Sequence, residues 1–191
     1  VMGRHAGFLT AASALARVNK DDGPHLIYLP EVPFDTQRFL ADVTNVYHKL
    51  GRCQIAVSEG IQNAEGKAIS STLSSTGDVD PHGNVQLSGT GALGDALAEL
   101  VKKNIKTTSG KAARVRADTL GYLQRCWPDR SPVDAKEARQ AGKHAAIVAS
   151  KGGAGVSITI NRAKGKNYKP EFATRPRSAV AAKTRHMPAD Y

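Results

Sequence analysis

Apolar residues recur along the chain in two rhythms, short continuous runs and stripes at helical spacing, and their order predicts the architecture. His25 to Pro30 (HLIYLP) is a short apolar run closed by proline and reads as a buried strand. PEVPFD follows, with Asp35 placed to cap a helix. In that helix Phe39, Leu40, Val43, Val46, Tyr47 and Leu50 form one apolar stripe, and Gly51 stops it. Gln54 to Ser58 (QIAVS) reads as the next buried strand, with Glu59 and Gly60 at its end. A second helical stripe runs through Leu93, Leu97, Leu100 and Val101 and finishes in Lys102 and Lys103, cations that suit the carbonyl end of a helix. Ala113 to Asp118 is a third strand candidate leading into TLGYLQR. Ser131 and Pro132 read as the cap and first residue of an alanine-rich helix that runs to Gly152 and Gly153, with Asp134 three residues past the cap. Val156, Ile158 and Ile160 then alternate as a final strand. Strands and helices in alternation predict an α/β fold, a layered, mostly parallel sheet with flanking helices.

Two stretches break the pattern. Between Ile61 and Gly89 the composition shifts to Ser, Thr, Gly, Asp and Asn, which reads as an irregular and functional excursion. VMGRHAGFLTAASALA sets Arg4 at the mouth of a small-residue helix with no lead-in, and RHMPADY is equally abrupt, so the chain reads as a piece of a longer subunit.

Lys and Arg number 27 against 17 Asp and Glu, a formal charge of +10, which raises phosphate, nucleic acid or an anionic surface as partners. Asn161 to Tyr191 carry eight Lys or Arg and two acidic residues, so +6 of the charge lies there. A noncatalytic nucleic-acid-binding module would set those cations on phosphates and stack bases on Tyr168 or Phe172. Two aromatics between Asn161 and His186 make a thin stacking platform, and a solvated, partly irregular segment fits the composition better. No apolar run approaches the roughly 18 residues of a membrane span. Cys53 and Cys126 make neither a metal spacing nor a disulfide framework, which fits a reducing cytoplasm. The six histidines are scattered without metal-ligand spacing.

SGTGALGDAL holds Gly89, Gly91 and Gly94 in a literal G-x-G-x-x-G, but HGNVQLS before it is too short and polar for the buried strand a dinucleotide site requires. A turn with Thr90 as a helix cap accounts for it. A more coherent set stands at strand ends and helix mouths, where open α/β sheets place ligands: Arg4, Glu59, Arg116 and Arg125. Arginines fork onto phosphate oxygens and a carboxylate accepts from sugar hydroxyls, so the set suits a phosphorylated polyol. Each also has an ordinary alternative: a surface charge at Arg4, a cap at Glu59, and ion pairs with acids such as Asp118 for the other two.

VMGRHAGFLTAASALA, LIYLPE, AVSEGI and RADTLGYLQR followed by SPVDAKEA, in that order, resemble the second half of a phosphofructokinase subunit. The likeness covers roughly Val1 to Arg162 and extends into the tail, nearly the whole sequence. GYLQR departs from the G-H-x-Q-R-G-G of ATP-dependent members, with Tyr122 for His and CWPDR for the glycines. With HAGF after the arginine and KTRHMP near the end, the chain is more similar to the pyrophosphate-dependent branch.

The resemblance implies a cytoplasmic enzyme that transfers a phosphoryl group, with Mg2+, from pyrophosphate to the 1-hydroxyl of fructose 6-phosphate, reversibly, as a step of glycolysis. An ATP-dependent relative is the alternative. By motif, Met2, Gly3 and Arg4 contact substrate, Arg4 also stabilising charge on the transferred group. Glu59 accepts from sugar hydroxyls, Tyr122 and Arg125 hold the 6-phosphate, and Arg116 reaches it across a subunit interface, which implies a homo-oligomer. Residues 1–162 are then a fructose 6-phosphate-binding region and 163–191 a basic C-terminal segment. The family's T-I-D-N-D-like motif, which carries the acceptor base, and its donor loop do not occur in this sequence. Neither metal ligands nor nucleic-acid or membrane contacts are expected within it.

Overall fold

The computed structural model describes residues 1–73, 92–107 and 109–190, with the backbone but not the side chain of Tyr122. Most of the Ile61–Gly89 excursion, and Gly89 and Gly91 of the glycine motif, lie outside the described residues. The chain forms two compact units, Val1–Cys126 with Arg185–Tyr191, and Trp127–Thr184.

In the first unit β1 (Leu26–Tyr28) and β2 (Ile55–Val57) pair in parallel, Leu26 opposite Ile55 and Tyr28 opposite Val57. Between them runs α2 (Thr36–Leu50), the crossover that parallel neighbours require. Asp35 caps it as its sequence predicts, Oδ1 accepting from the Arg38 N–H at 2.6 Å, a cap worth about 1 kcal/mol. Gly51 ends it at φ +69°, the left-handed conformation that glycine adopts without strain. The predicted stripe faces inward: Phe39 and Val43 are buried, and Leu40 and Tyr47 pack against the same core. The rings of Tyr28, Phe34 and Phe39 meet with centroids 5.3 to 5.4 Å apart, fixing α2 against β1.

Small-residue helix formation near the start is brief. α1 spans Phe8–Ala12 and passes into a 3-10 turn over Ser13–Ala16. The described part of the Ile61–Gly89 excursion is more regular than its composition implies. Gln62 bridges Ala68 around a tight turn with Gly66 at φ +74°, and α3 (Ile69–Leu73) follows. Ile61 and Ile69, 1 % and 5 % exposed, anchor both ends of that turn in the core. α4 (Ala92–Asn104) adds Leu97 and Val101 to it.

No strand forms at Ala113–Asp118. Lys106 bridges Ala112 and the Ala113 N–H donates to the Ile105 carbonyl at 3.1 Å, so the stretch begins by turning back onto the residues just after α4. Its alternation survives in burial, with Ala113 and Val115 packed inward while Arg114 and Arg116 are exposed.

The second unit holds α5 (Pro132–Ser150), β3 (Val156–Arg162), β4 (Pro170–Pro176) and α6 (Arg177–Val180). Ser131 caps α5, its Oγ accepting from the Asp134 N–H at 3.3 Å. The final predicted strand exists, but it pairs antiparallel with β4, a strand inside the stretch whose charge reads as partly irregular. Phe172 opposite Ile160, and Ala173 opposite Thr159, supply the ladder that charge counting hides. The Phe172 ring lies against His144 of α5, and the Arg162 guanidinium sits 5.5 Å from the Tyr168 ring centre. Tyr168 and Phe172 are therefore both engaged within the unit.

Candidate functional site

The first residues of the chain continue the parallel pairing of β2. The Glu59 N–H donates to the Val1 carbonyl and the Val1 nitrogen to the Val57 carbonyl, each at 2.9 Å. Met2, Gly3 and Arg4 are thereby set at the carboxyl end of the strand, where open α/β sheets form their ligand crevice.

Three motifs converge on this turn. The Gly3 N–H donates to Glu59 Oε1 at 3.3 Å, and its carbonyl accepts from the Ser58 hydroxyl at 2.5 Å. The Met2 N–H donates to Gln124 Oε1 at 2.7 Å, bringing in the 3-10 turn Gly121–Gln124. Two glycines make the approach possible. Gly3 has φ +144°, and a Cβ there would stand 2.6 Å from the Ala6 carbonyl oxygen. Gly60 is packed against the backbone of Arg4.

Downstream, Gly7 caps α1 and its N–H donates to Glu31 Oε1 at 2.9 Å. The same oxygen accepts from the Met187 N–H at 2.9 Å. Burial pushes the Glu31 carboxyl up, but the donors from Met187 and Gly7 outweigh it and hold it below the ordinary glutamate range.

Met2, Gly3, Arg4 and Glu59 thus stand together, with the carboxylate of Glu59 retaining acceptor positions beyond the one given to Gly3. Met2, Glu59 and Arg116 line a cavity of about 550 Å³ whose apolar lining includes buried Leu97 and Val101. Arg4 lines a second cavity, of about 460 Å³, with His5, Glu31, Gln62 and His186. Arg116 is exposed and forms an ion pair with Asp118, Nη2 to Oδ1 at 2.9 Å, the ordinary partner its sequence allowed. Arg125 directly follows the 3-10 turn and is exposed, while the Tyr122 side chain lies outside the described residues. Among the described residues no three His, Cys, Asp or Glu side chains are grouped to hold a metal ion. No described helix is long and apolar enough to cross a membrane.

Sequence reasoning assigned no role to Ser58, Gly60, Gln124 or Glu31. All four lie inside stretches that carry the family resemblance, so their signal was their place in S-E-G, G-Y-L-Q-R and, for Glu31, the end of LIYLPE.

Residues 1–149 match the phosphofructokinase family. A pyrophosphate--fructose 6-phosphate 1-phosphotransferase of Rhodospirillum rubrum is 52 % identical over 192 residues, covering 100 % of this chain and 46 % of that protein. One of the same description from Xanthomonas campestris pv. campestris is 35 % identical over 191 residues, covering 100 % and 43 %. The crystal structure of a pyrophosphate-dependent phosphofructokinase from Marinobacter aquaeolei superposes with a TM-score of 0.76 at 29 % identity, over 100 % of this chain and 41 % of that one. The chain spans less than half the length of each of these relatives.

Proposed function

This chain belongs to the phosphofructokinase family, and on that footing we propose that it supplies the acceptor site of a pyrophosphate-dependent 6-phosphofructokinase. The reaction is reversible transfer of a phosphoryl group from pyrophosphate to the 1-hydroxyl of fructose 6-phosphate, in the cytoplasm, as a step of glycolysis. One observation carries the reading: the M-G-R, S-E-G and G-Y-L-Q-R motifs, distant in sequence, are joined by the Gly3–Glu59, Ser58–Gly3 and Met2–Gln124 hydrogen bonds.

In this reading Glu59 accepts from sugar hydroxyls with the lone pairs that Gly3 leaves open, and the Met2–Gly3 turn packs on the sugar. Tyr122 and Arg125 hold the 6-phosphate, a guanidinium being suited to bidentate contact with its oxygens. Arg116 reaches the phosphate of a neighbouring subunit in a homo-oligomer, exchanging its exposed Asp118 partner for a dianion. Arg4, fixed by its backbone against Gly60, offers a permanent positive charge where charge accumulates on the transferred group; such preorganised cations act by electrostatic stabilisation.

The base that removes the proton of the 1-hydroxyl, the donor loop and the Mg2+ ligands are supplied outside this sequence. Magnesium would neutralise donor charge, and no residue grouped here is assigned to it. Calorimetric titration of the chain with fructose 6-phosphate tests the proposal. Saturable binding without turnover, with either pyrophosphate or ATP, is expected. Absence of binding to a folded chain, or robust turnover by the 191-residue chain alone, overturns it.

A further inference from the structure

We propose that Glu31 is a positioning residue for Arg4, holding the start of α1 and the 185–190 segment on one carboxylate oxygen. The inference rests on Arg4 acting as the cation of the proposed transfer. Arg4 occupies a short loop pinned at both ends by carboxylates: Gly3 donates to Glu59 at 3.3 Å and Gly7 to Glu31 at 2.9 Å. Glu59 has work with the sugar; Glu31 has no substrate role in the family-like motifs.

The second donor to Glu31 distinguishes it from an ordinary helix cap. Met187 lies 156 residues away, and its N–H reaches the same Oε1 that holds Gly7. The adjoining His186 then lines the 460 Å³ cavity with Arg4 and His5. One charged oxygen therefore ties the end of the loop that carries Arg4 and His5 to the 186–189 segment that lines the cavity with them, and charged acceptors hold amides more strongly than neutral ones. The approach requires a glycine as well: a Cβ at Gly7 would stand 2.8 Å from Glu31 Oε2. Reactive geometry tolerates little displacement, and a misplacement near 1 Å costs on the order of 100-fold in rate. The KTRHMP segment, a likeness without an assigned purpose in the sequence, acquires one.

The test uses the complete enzyme, with its donor half. In Glu31→Ala, kcat is expected to fall by about tenfold or more while KM for fructose 6-phosphate stays within about threefold. Hydrogen exchange at the Gly7 and Met187 amides should accelerate together, and Glu31→Gln, which keeps an oxygen in place, should recover most of kcat. Should Glu31→Ala not fold, Met187→Pro removes only the distant donor and should lower kcat several-fold. An unchanged kcat per folded molecule in either variant, or exchange that changes at only one of the two amides in Glu31→Ala, overturns the proposal. If the unmodified enzyme does not phosphorylate fructose 6-phosphate, the functional reading has failed instead. The clamp is then judged by exchange alone, and unchanged protection in Glu31→Ala rejects it.

Discussion

Gly60 lies so close to Arg4 that a Cβ at position 60 would come within 1.8 Å of the Arg4 carbonyl oxygen and 2.4 Å of its carbonyl carbon. Both atoms are backbone, so no side-chain rotation relieves the overlap, and the glycine of S-E-G is a packing requirement imposed by M-G-R. Gly60→Ala should displace Arg4 and, through the adjoining Glu59, also weaken fructose 6-phosphate binding by about tenfold or more. Comparing KM and kcat of the variant with those of the complete enzyme checks this. Unchanged constants would mean that the contact does not position the arginine.

The two basic regions of the chain should differ in kind. Arg125 follows the turn whose Gln124 holds Met2, whereas Lys164 lies between β3 and β4 in the other unit. In the complete enzyme, Arg125→Ala should raise KM for fructose 6-phosphate by about 100-fold, since charge-assisted contacts contribute a few kcal/mol. Lys164→Ala should change it less than about twofold. Equal effects would contradict the assignment of the phosphate site.

How much of this was legible in the sequence follows the locality of the forces. Asp35, Ser131 and Gly51 act within a turn of their helices, and their roles could be read from adjacent residues alone. The inward stripe of α2 was equally plain, because Phe39 and Val43 recur at helical spacing. Pairing was not legible: Val156–Arg162 has a strand's alternation, yet nothing local says that its partner is an antiparallel Pro170–Pro176. Ala113–Asp118 likewise alternates, but its first residue, Ala113, bonds back to Ile105 just after α4. The site followed the same rule. M-G-R and S-E-G could be recognised as motifs, while the hydrogen bonds linking Gly3 to Glu59 and Met2 to Gln124 are products of the fold. Glu31 stands in LIYLPE, but its two donors come from residues 24 and 156 positions away and could not be read from that motif.

The two cysteines should separate sharply in reactivity. Burial pushes the Cys53 thiol up to about 11, whereas Cys126 is exposed. Near pH 8 a thiol-specific alkylating reagent should label Cys126 at least about tenfold faster than Cys53, because the thiolate is the nucleophile and Cys53 is both protonated and shielded. Mass spectrometry of partially labelled protein reads the ratio. Equal rates would argue against the packing of Cys53 beside the core.

Acid should act on Glu31 in a defined direction. Its carboxyl is held below the ordinary value of 4.5, so its contribution to stability is present above that value and lost as pH falls through the folded one. The stability gap between the unmodified protein and Glu31→Gln should therefore be constant near neutrality and narrow from about pH 4.5 downward. Denaturant midpoints measured from neutral pH to about pH 3 follow it. A gap that does not change over that range would remove the charged clamp.

Turnover of fructose 6-phosphate by the complete enzyme, measured with pyrophosphate and with ATP at equal concentrations, tests the central claim most directly. Fructose 1,6-bisphosphate should form with pyrophosphate at a kcat/KM about 100-fold or more above that with ATP, and Arg4→Ala should cut the pyrophosphate rate by about 100-fold or more. Turnover confined to ATP, or a rate indifferent to loss of Arg4, would contradict the account.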